Sequence, residues 1–324
     1  MKALILADGN HSNHRFAPGA PTSFLPILNK PLIRHQLRVL RLAGFQQVVV
    51  WTESAELQDY FADGRCEGMQ VICARQLADW NAGEGPLLVL AGDVLPGRGL
   101  ADLMEHHRCA SAAVTAAVQG EAQSLAGMFA VAAGVPEQAV LPRLLSSSTP
   151  EGTAAFTLRD GTMRIATADA YMAATRMLLE RLDGGIESAA QHLRLLAHNV
   201  WAADSNPPGP AHVAPDATIT GPVLLGHNCS IGSGATVVGP AVLGDATMIC
   251  RNAHVENSCI WPGAAIGAHA RVIDSIITRC FTIGPGAAFE HCIALDRSAR
   301  RAFILQPGSY AIEHSPRGTA ARVM

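Results

Sequence analysis

Residues 213–259 read VAPDATITGPVLLGHNCSIGSGATVVGPAVLGDATMICRNAHVENSC. Aliphatic side chains stand at Val213, Ile219, Leu225, Ile231, Val237, Leu243, Ile249 and Val255, every sixth residue without a gap. Four residues after each comes a small or compact one: Ala217, Val223, Cys229, Ala235, Ala241, Thr247, Ala253 and Cys259. A period of six is even, so a strand turns the same face inward at every repeat. A helix, whose apolar stripe recurs at three and four, cannot use that pattern. One large inward residue per short strand, then a small one near the bend, describes a narrow prism with six-residue sides. Such units bury little alone and must stack. A sandwich with irregular spacing would not give eight unbroken hexads. After Val255 the register slips by one and resumes at Ile260, Ile266 and Val272, with Ala264, Ala270 and Ile276 as partners and a last turn around Ile283 and Ala287.

The chain has 324 residues and a formal net charge of −3, which gives no electrostatic pull toward nucleic acid or a membrane surface. Aromatic residues make up only 5% while glycines number 30, a mix suited to tight internal corners. Eight cysteines show neither a CxxC pair nor metal-ligand spacing, so they are expected to be reduced in a cytoplasmic protein. The opening MKALILADG has too short an apolar run for a signal peptide and reads as a buried strand. Strands at 3–6, 47–51, 69–73, 87–90 and 112–118 alternate with helices at 32–43, 55–62 and 100–107. This order predicts an α/β doubly wound, mostly parallel sheet, with its ligand edge beyond the strands' carboxyl ends, in the loops after Leu6 and Leu90. The domain plan is then 1–200 for the α/β domain, a Pro/Gly-rich linker at 201–210, the stacked repeats at 211–296, and a tail at 297–324.

Phe24-Leu25-Pro26-Ile27 followed by Asn29-Lys30-Pro31-Leu32-Ile33 resembles the "LLPV…KPLI" run of the nucleotide-sugar pyrophosphorylases, in particular the mannose-1-phosphate guanylyltransferase type. LLVLAGDV at 87–94 is similar to that family's strand ending in a metal-binding Gly-Asp, AGMFAV at 126–131 to its "AGIYV" strand, and DAYMAATRMLL at 169–179 to its "EDYLxANxxLL" helix. Asn257-Ser258-Cys259-Ile260-Trp261 looks like the "SVIW" coil of its C-terminal repeats. The resemblance implies a Rossmann-like nucleotidyltransferase domain followed by a left-handed parallel β-helix of hexapeptide repeats. It also implies the reaction of an NTP with a sugar-1-phosphate to give an NDP-sugar and pyrophosphate, with Mg²⁺ as cofactor if the chain is active and none otherwise.

That chemistry needs backbone N–H groups and cations around two polyanions, with Mg²⁺ on paired carboxylates. By resemblance, Leu6, Ala7 and Gly9 fall on the nucleotide-binding loop, Arg15 on a shifted "RLxP" arginine, and Asp93 on the first metal carboxylate. The departures are as informative. Asp8 puts a carboxylate where phosphate should approach. Thr22 stands where the family's catalytic lysine belongs, and Arg164 where its second carboxylate belongs. No "GTAGA" base loop is present between Val71 and Leu87, and the stretch from Asp93 to Ala126 is too short for the "EKP" sugar-phosphate segment. The sequence therefore predicts a catalytically impaired relative acting as scaffold, regulatory subunit or ligand sensor. An active nucleotidyltransferase using Arg15 and Asp93 is the alternative.

Other residues also have side chains suited to chemistry. Asp93 could instead cap the turn after its strand. His11 and His14 could take an anion or a metal, although two histidines without a third ligand more often belong to an exposed loop. His212, His227, His254, His269 and His291 lie in or beside the repeats and raise a hexapeptide acyltransferase, but no long inserted loop interrupts the hexads before Val255. Arg297, Arg300, Arg301, Arg317 and Arg322 give the tail a mild basic bias. The expected partners are further copies of the chain meeting through the β-helix, an active paralogue or other glycan-pathway protein, and a nucleotide or sugar phosphate as ligand.

Overall fold

The computed structural model describes residues 2–7, 21–75, 85–120, 123–135, 151–159, 161–182, 193–197, 200–203, 211–295 and 310–313. Two compact units emerge. The first runs through Lys30–Ala170 with the N-terminal strand, and the second runs from Tyr171 onward with the short segment Pro26–Asn29. Residues 171–182, 193–197 and 200, which the domain plan above gives to the α/β domain, fall in the second unit.

The first unit is built on an eight-stranded sheet in the order Ala154–Thr157, Val114–Gln119, Ser124–Val131, Leu87–Ala91, Lys2–Leu6, Gln47–Trp51, Met69–Ala74, Arg65–Cys66. Its four central strands, from Leu87–Ala91 to Met69–Ala74, are parallel. Both faces are buried, and the alternation along the first strand shows how. Ala3, Ile5 and Ala7 enter the cluster that also holds Ile33, Leu37, Leu40, Leu103 and Met104 of two helices. Leu4 and Leu6 enter the cluster on the other face with Val49, Val89 and Phe129. A near-continuous aliphatic run is what a doubly covered strand requires. The helix Leu32–Leu42 buries Leu32, Ile33, Gln36, Leu37 and Leu40, a helical spacing, and gives way at Gly44, whose φ of +90° suits glycine. Ser124–Val131 is antiparallel to both its neighbours, so the sheet is mixed on that side. Its register shifts between Leu125 and Phe129, around Gly127 at φ +74°.

The second unit contains a left-handed parallel β-helix. Three faces recur: Val223–Leu225, Ala241–Leu243, Cys259–Ile260 and Ile276–Ile277 on one; His212–Val213 through Thr282–Ile283 on the next; Thr218–Thr220 through Ala288–Glu290 on the third. Equivalent residues first pair eighteen apart, as in Leu225↔Leu243, and then seventeen apart, as in Leu243↔Ile260. The shortened side recurs at one corner in three successive coils, from Val255 to Ile260, from Val272 to Ile277 and from Phe289 to Ala294.

One lost residue reverses the parity of the following strand. Cys259 and Ile276, expected as small inward partners, therefore lie in the outward row, aligned with Val242. Their inward places pass to Ser258 and Ser275, and Cys292 holds the same place in the next coil; all three are buried. Two buried hydroxyls are satisfied by a ladder running from coil to coil. Ser258 Oγ donates to Glu256 O at 2.6 Å and accepts Ser275 N–H at 3.1 Å. Ser275 Oγ donates to Ile273 O at 2.6 Å and accepts Cys292 N–H at 3.2 Å. In the two earlier coils the same corner is Gly221-Pro222 and Gly239-Pro240.

The outward Cys259 is enclosed beside Tyr171 of the helix Ala168–Leu182, and burial pushes its thiol pKa up to about 12. It is a neutral packing group. The Tyr171 hydroxyl donates to Pro26 O and accepts the Trp261 indole N–H at 3.0 Å, while Asn29 Nδ2 donates to Leu243 O at 2.9 Å. The helix and the Pro26–Asn29 segment are thus hydrogen-bonded parts of this unit. Beyond the last full coil, Tyr310–Glu313 pairs in parallel with Cys292–Leu295, adding a strand from the segment read as a tail.

Stacking leaves no space at the Gly244 corner. A Cβ built on Gly244 would stand 2.4 Å from Pro262 N and 2.8 Å from the Trp261 carbonyl carbon, both backbone of the next coil. Because backbone cannot swing aside, Gly244→Ala is expected to destabilise the second unit by about 2 kcal/mol, the scale of overpacking. The check is a lower denaturant midpoint, and an unchanged midpoint would show that the coils can spread.

Candidate functional site

The strand Leu87–Ala91 ends at Gly92-Asp93, and the short strand Val94–Leu95 follows. This is the carboxyl edge of the parallel strands, where α/β sheets bind ligands. Gly92 N–H donates to Leu6 O at 2.9 Å, locking the two expected loops together. A side chain at Gly92 would meet Ser23 Oγ at 2.7 Å and the carbonyl oxygens of Leu6 and Ala7 at 2.8 Å, so only glycine allows this approach. Ser23 Oγ donates to Ala7 O at 3.2 Å. From the helix Leu32–Leu42, the buried Gln36 Nε2 donates to Ala91 O at 2.9 Å and Val94 O at 2.8 Å, fixing the turn that holds Asp93.

Opposite stands Arg164. Its strand, Met163–Arg164, is antiparallel to Val94–Leu95, and Ile165 N–H donates to Asp93 O at 2.7 Å. The backbone ladder therefore brings the two side chains together. Arg164 Nη2 lies 2.7 Å and Nε 3.1 Å from the same oxygen, Asp93 Oδ2. Among the described residues, Asp93 Oδ1 is buried with no hydrogen-bond partner. The pair is asymmetric in exposure: the Arg164 side chain is 27% exposed and that of Asp93 6%. Gly127 forms the floor, since a Cβ there would come within 3.5 Å of Arg164 Nε and 2.7 Å of Val94 Cγ2.

Of the sequence-predicted site residues, Asp93 and Arg164 meet directly. The Asp93 carboxylate is held by this ion pair. Leu6 and Ala7 are buried at the strand end, their carbonyl oxygens engaged with Gly92 and Ser23. Thr22 is buried in the short turn Thr22–Phe24 and carries no charge to the site. Asp8, Gly9, His11, His14 and Arg15 lie outside the described residues, as do 76–84 of the segment lacking a base loop and the five tail arginines. Sequence reading passed over Ser23, Gln36 and Gly127. Gln36 carried the clearest signal, a polar residue on the buried stripe of an otherwise aliphatic helix face.

The site does not fit Mg²⁺. Its carboxylate already spends one oxygen on a guanidinium, and a divalent cation there would face a fixed positive charge held to the same carboxylate. Among the described residues no group of three or more His, Cys, Asp or Glu side chains is placed to hold a metal. On the β-helix, His227 meets Asp245 at 3.2 Å, His254 meets Glu256 at 3.0 Å and His291 meets Asp274 at 3.6 Å, each at a different place on the coils. Among the described residues no helix is long and apolar enough to cross a membrane.

A mixed, doubly covered sheet with its loop edge at Leu6 and Asp93, followed by a left-handed β-helix, fits an N-terminal nucleotidyltransferase-type domain with a C-terminal repeat domain. Several proteins similar to this chain are nucleotide-sugar pyrophosphorylases, at low identity. A UTP–glucose-1-phosphate uridylyltransferase of Synechocystis sp. is 24% identical over 360 aligned residues, spanning 91% of this chain and 92% of that protein. A mannose-1-phosphate guanylyltransferase of Mycobacterium tuberculosis is 29% identical over 129 residues, 36% of each chain. A glucose-1-phosphate thymidylyltransferase of Xanthomonas campestris pv. campestris is 29% identical over 119 residues, 32% of this chain and 40% of that one. No family model matches the chain.

Proposed function

We propose that this chain is a sugar-1-phosphate nucleotidyltransferase-like protein that does not make nucleotide sugars and works instead as a scaffold, regulatory subunit or ligand sensor in the cytoplasm. The observation that supports this is the Asp93–Arg164 pair. In-line transfer between two polyanions needs added positive charge at the reacting phosphates. Here the Asp93 carboxylate at the strand end is neutralised from within the protein, and Thr22 supplies no cation in place of a lysine. The regular β-helix, with its outward sheets, suits association with further copies or with an active paralogue.

Purified chain with Mg²⁺, each of the common nucleoside triphosphates, and glucose-1-phosphate or mannose-1-phosphate is expected to release no pyrophosphate above the enzyme-free blank. Turnover at an ordinary rate, about 1 s⁻¹ or faster, would refute the proposal.

A further inference from the structure

We infer that the outer sides of two helices of the first unit, Leu32–Leu42 and Ala55–Tyr60, form a docking surface for a second copy of this chain, each basic helix lying on the partner's acidic one. The first helix carries Arg34, Arg38 and Arg41, at spacings of four and three, and no carboxylate. The stretch 53–63 carries Glu53, Glu56, Asp59 and Asp63 and no cation. Only 16% of the chain is charged, so two neighbouring runs of single sign stand out from its background. Ile33, Leu37 and Leu40 of one helix and Leu57 and Phe61 of the other are buried in one cluster, which turns the charged rows outward. The first helix links Lys2–Leu6 to its parallel neighbour Gln47–Trp51, and the second links that strand to Met69–Ala74. Right-handed crossovers stepping the same way along a sheet lay their helices side by side on one face.

The chain leaves most of these charges unanswered. Arg34 is paired with Glu67 at 2.5 Å, and Arg41 Nη1 donates to Glu67 O at 3.0 Å. Among the described residues, Arg38, Glu56, Asp59 and Asp63 enter no ion pair. The same helices carry Leu42, 77% exposed, and Tyr60, 41% exposed, apolar surface that a partner would cover. The choice of partner follows from the two signs. A uniformly acidic or basic partner would meet half of the surface with like charge, which is costly. A two-fold axis running along the groove between the helices sets the basic row of each copy on the acidic row of the other, so the surface is complementary to itself. Exposed ion pairs are individually weak, so the contact is salt-sensitive and the charges chiefly fix its register. It lies on the first unit, apart from any association through the β-helix, and does not depend on whether the chain turns over nucleotides.

The test is sedimentation velocity of the full chain with a charge swap. At low ionic strength and roughly 100 µM the native chain is expected to self-associate, and to do so less at about 1 M salt, where screening shortens to about 3 Å. One variant, Arg38→Glu with Arg41→Glu, makes both rows acidic. The other, Asp59→Lys with Asp63→Lys, makes the acidic row largely basic. All four positions are exposed or half-buried, so the fold should survive, with unchanged melting as the check. Each variant alone is expected to lose this association step by about a hundredfold or more, since like charges then face each other in both symmetric contacts. Mixed in equal amounts, the two variants should recover it as a dimer holding one of each. If copies also meet through the β-helix, the variants lose one step of assembly and the mixture regains that step. A native chain showing no salt-sensitive association, variants that associate like the native chain, or a mixture that regains nothing would each overturn the inference.

Discussion

Replacing Arg164 by alanine is expected to destabilise the first unit by about 3 kcal/mol, although the residue is partly exposed and lies on a two-residue strand. The loss comes from what the substitution leaves behind. Among the described residues Asp93 Oδ1 has no partner, and Oδ2 is held by the guanidinium described above. Without Arg164 a buried carboxylate has neither charge nor hydrogen-bond compensation on its side chain, and breaking such pairs costs about 3–5 kcal/mol. The lower end applies because the guanidinium is about a quarter exposed, so solvent already screens part of the attraction. Removing Asp93 as well should restore most of the loss, since an intact pair and a neutral pair can be close in stability. Urea unfolding of Arg164→Ala, Asp93→Asn and the double variant gives the coupling directly. Additive losses would mean that the two groups do not depend on each other.

The second large effect belongs to the β-helix. Leu243→Ala is expected to cost the second unit about 4 kcal/mol, while Met248→Ala, five residues on, should cost less than about 0.5 kcal/mol. Leu243 is fully buried and stands in the inward row between Leu225 of the preceding coil and Ile260 of the following one. Adjacent coils are held at the fixed spacing of strand ladders, so the walls around a truncated leucine cannot close in. The cavity term then adds to the lost transfer energy. Met248 lies outward on another face and is 50% exposed. Similar losses for both would contradict the assignment of Leu243 to the inward row and Met248 to the outward one.

The β-helix was legible because its repeat is enforced at every coil. An inward position must be apolar each time, and a string of aliphatics at a fixed interval has no other cause. The first slip was visible at Val255 because Ile260 breaks the count. The second was hidden because Ile276 and Ile277 are both isoleucine, so the sequence fits either parity. Only the pairing of Ile277 with Ile260 decides between them. The same ambiguity misplaced Cys259, whose small size suits an inward corner as well as a position beside Tyr171.

The site was legible in part. Asp93 could be located because it ends an unmistakable buried strand, and Arg164 by counting back from the helix that begins at Ala168. Their contact was not legible. It depends on a two-residue strand pairing across seventy residues of chain, and no local pattern encodes that. From sequence alone, an arginine at this place could be read only as repelling a metal ion. The geometry gives it a positive task, holding the carboxylate itself. Gly127 stayed silent, since a glycine required by close approach is indistinguishable in sequence from one required by a turn.

The most direct test of the account is the binding of Mn²⁺, a spectroscopically visible stand-in for Mg²⁺, followed by the electron paramagnetic resonance of the free ion as chain is added. The account predicts no stoichiometric uptake by the native chain, and uptake of one ion when Arg164→Asp supplies the second carboxylate. One tightly held ion in the native chain, lost on Asp93→Asn, would contradict it.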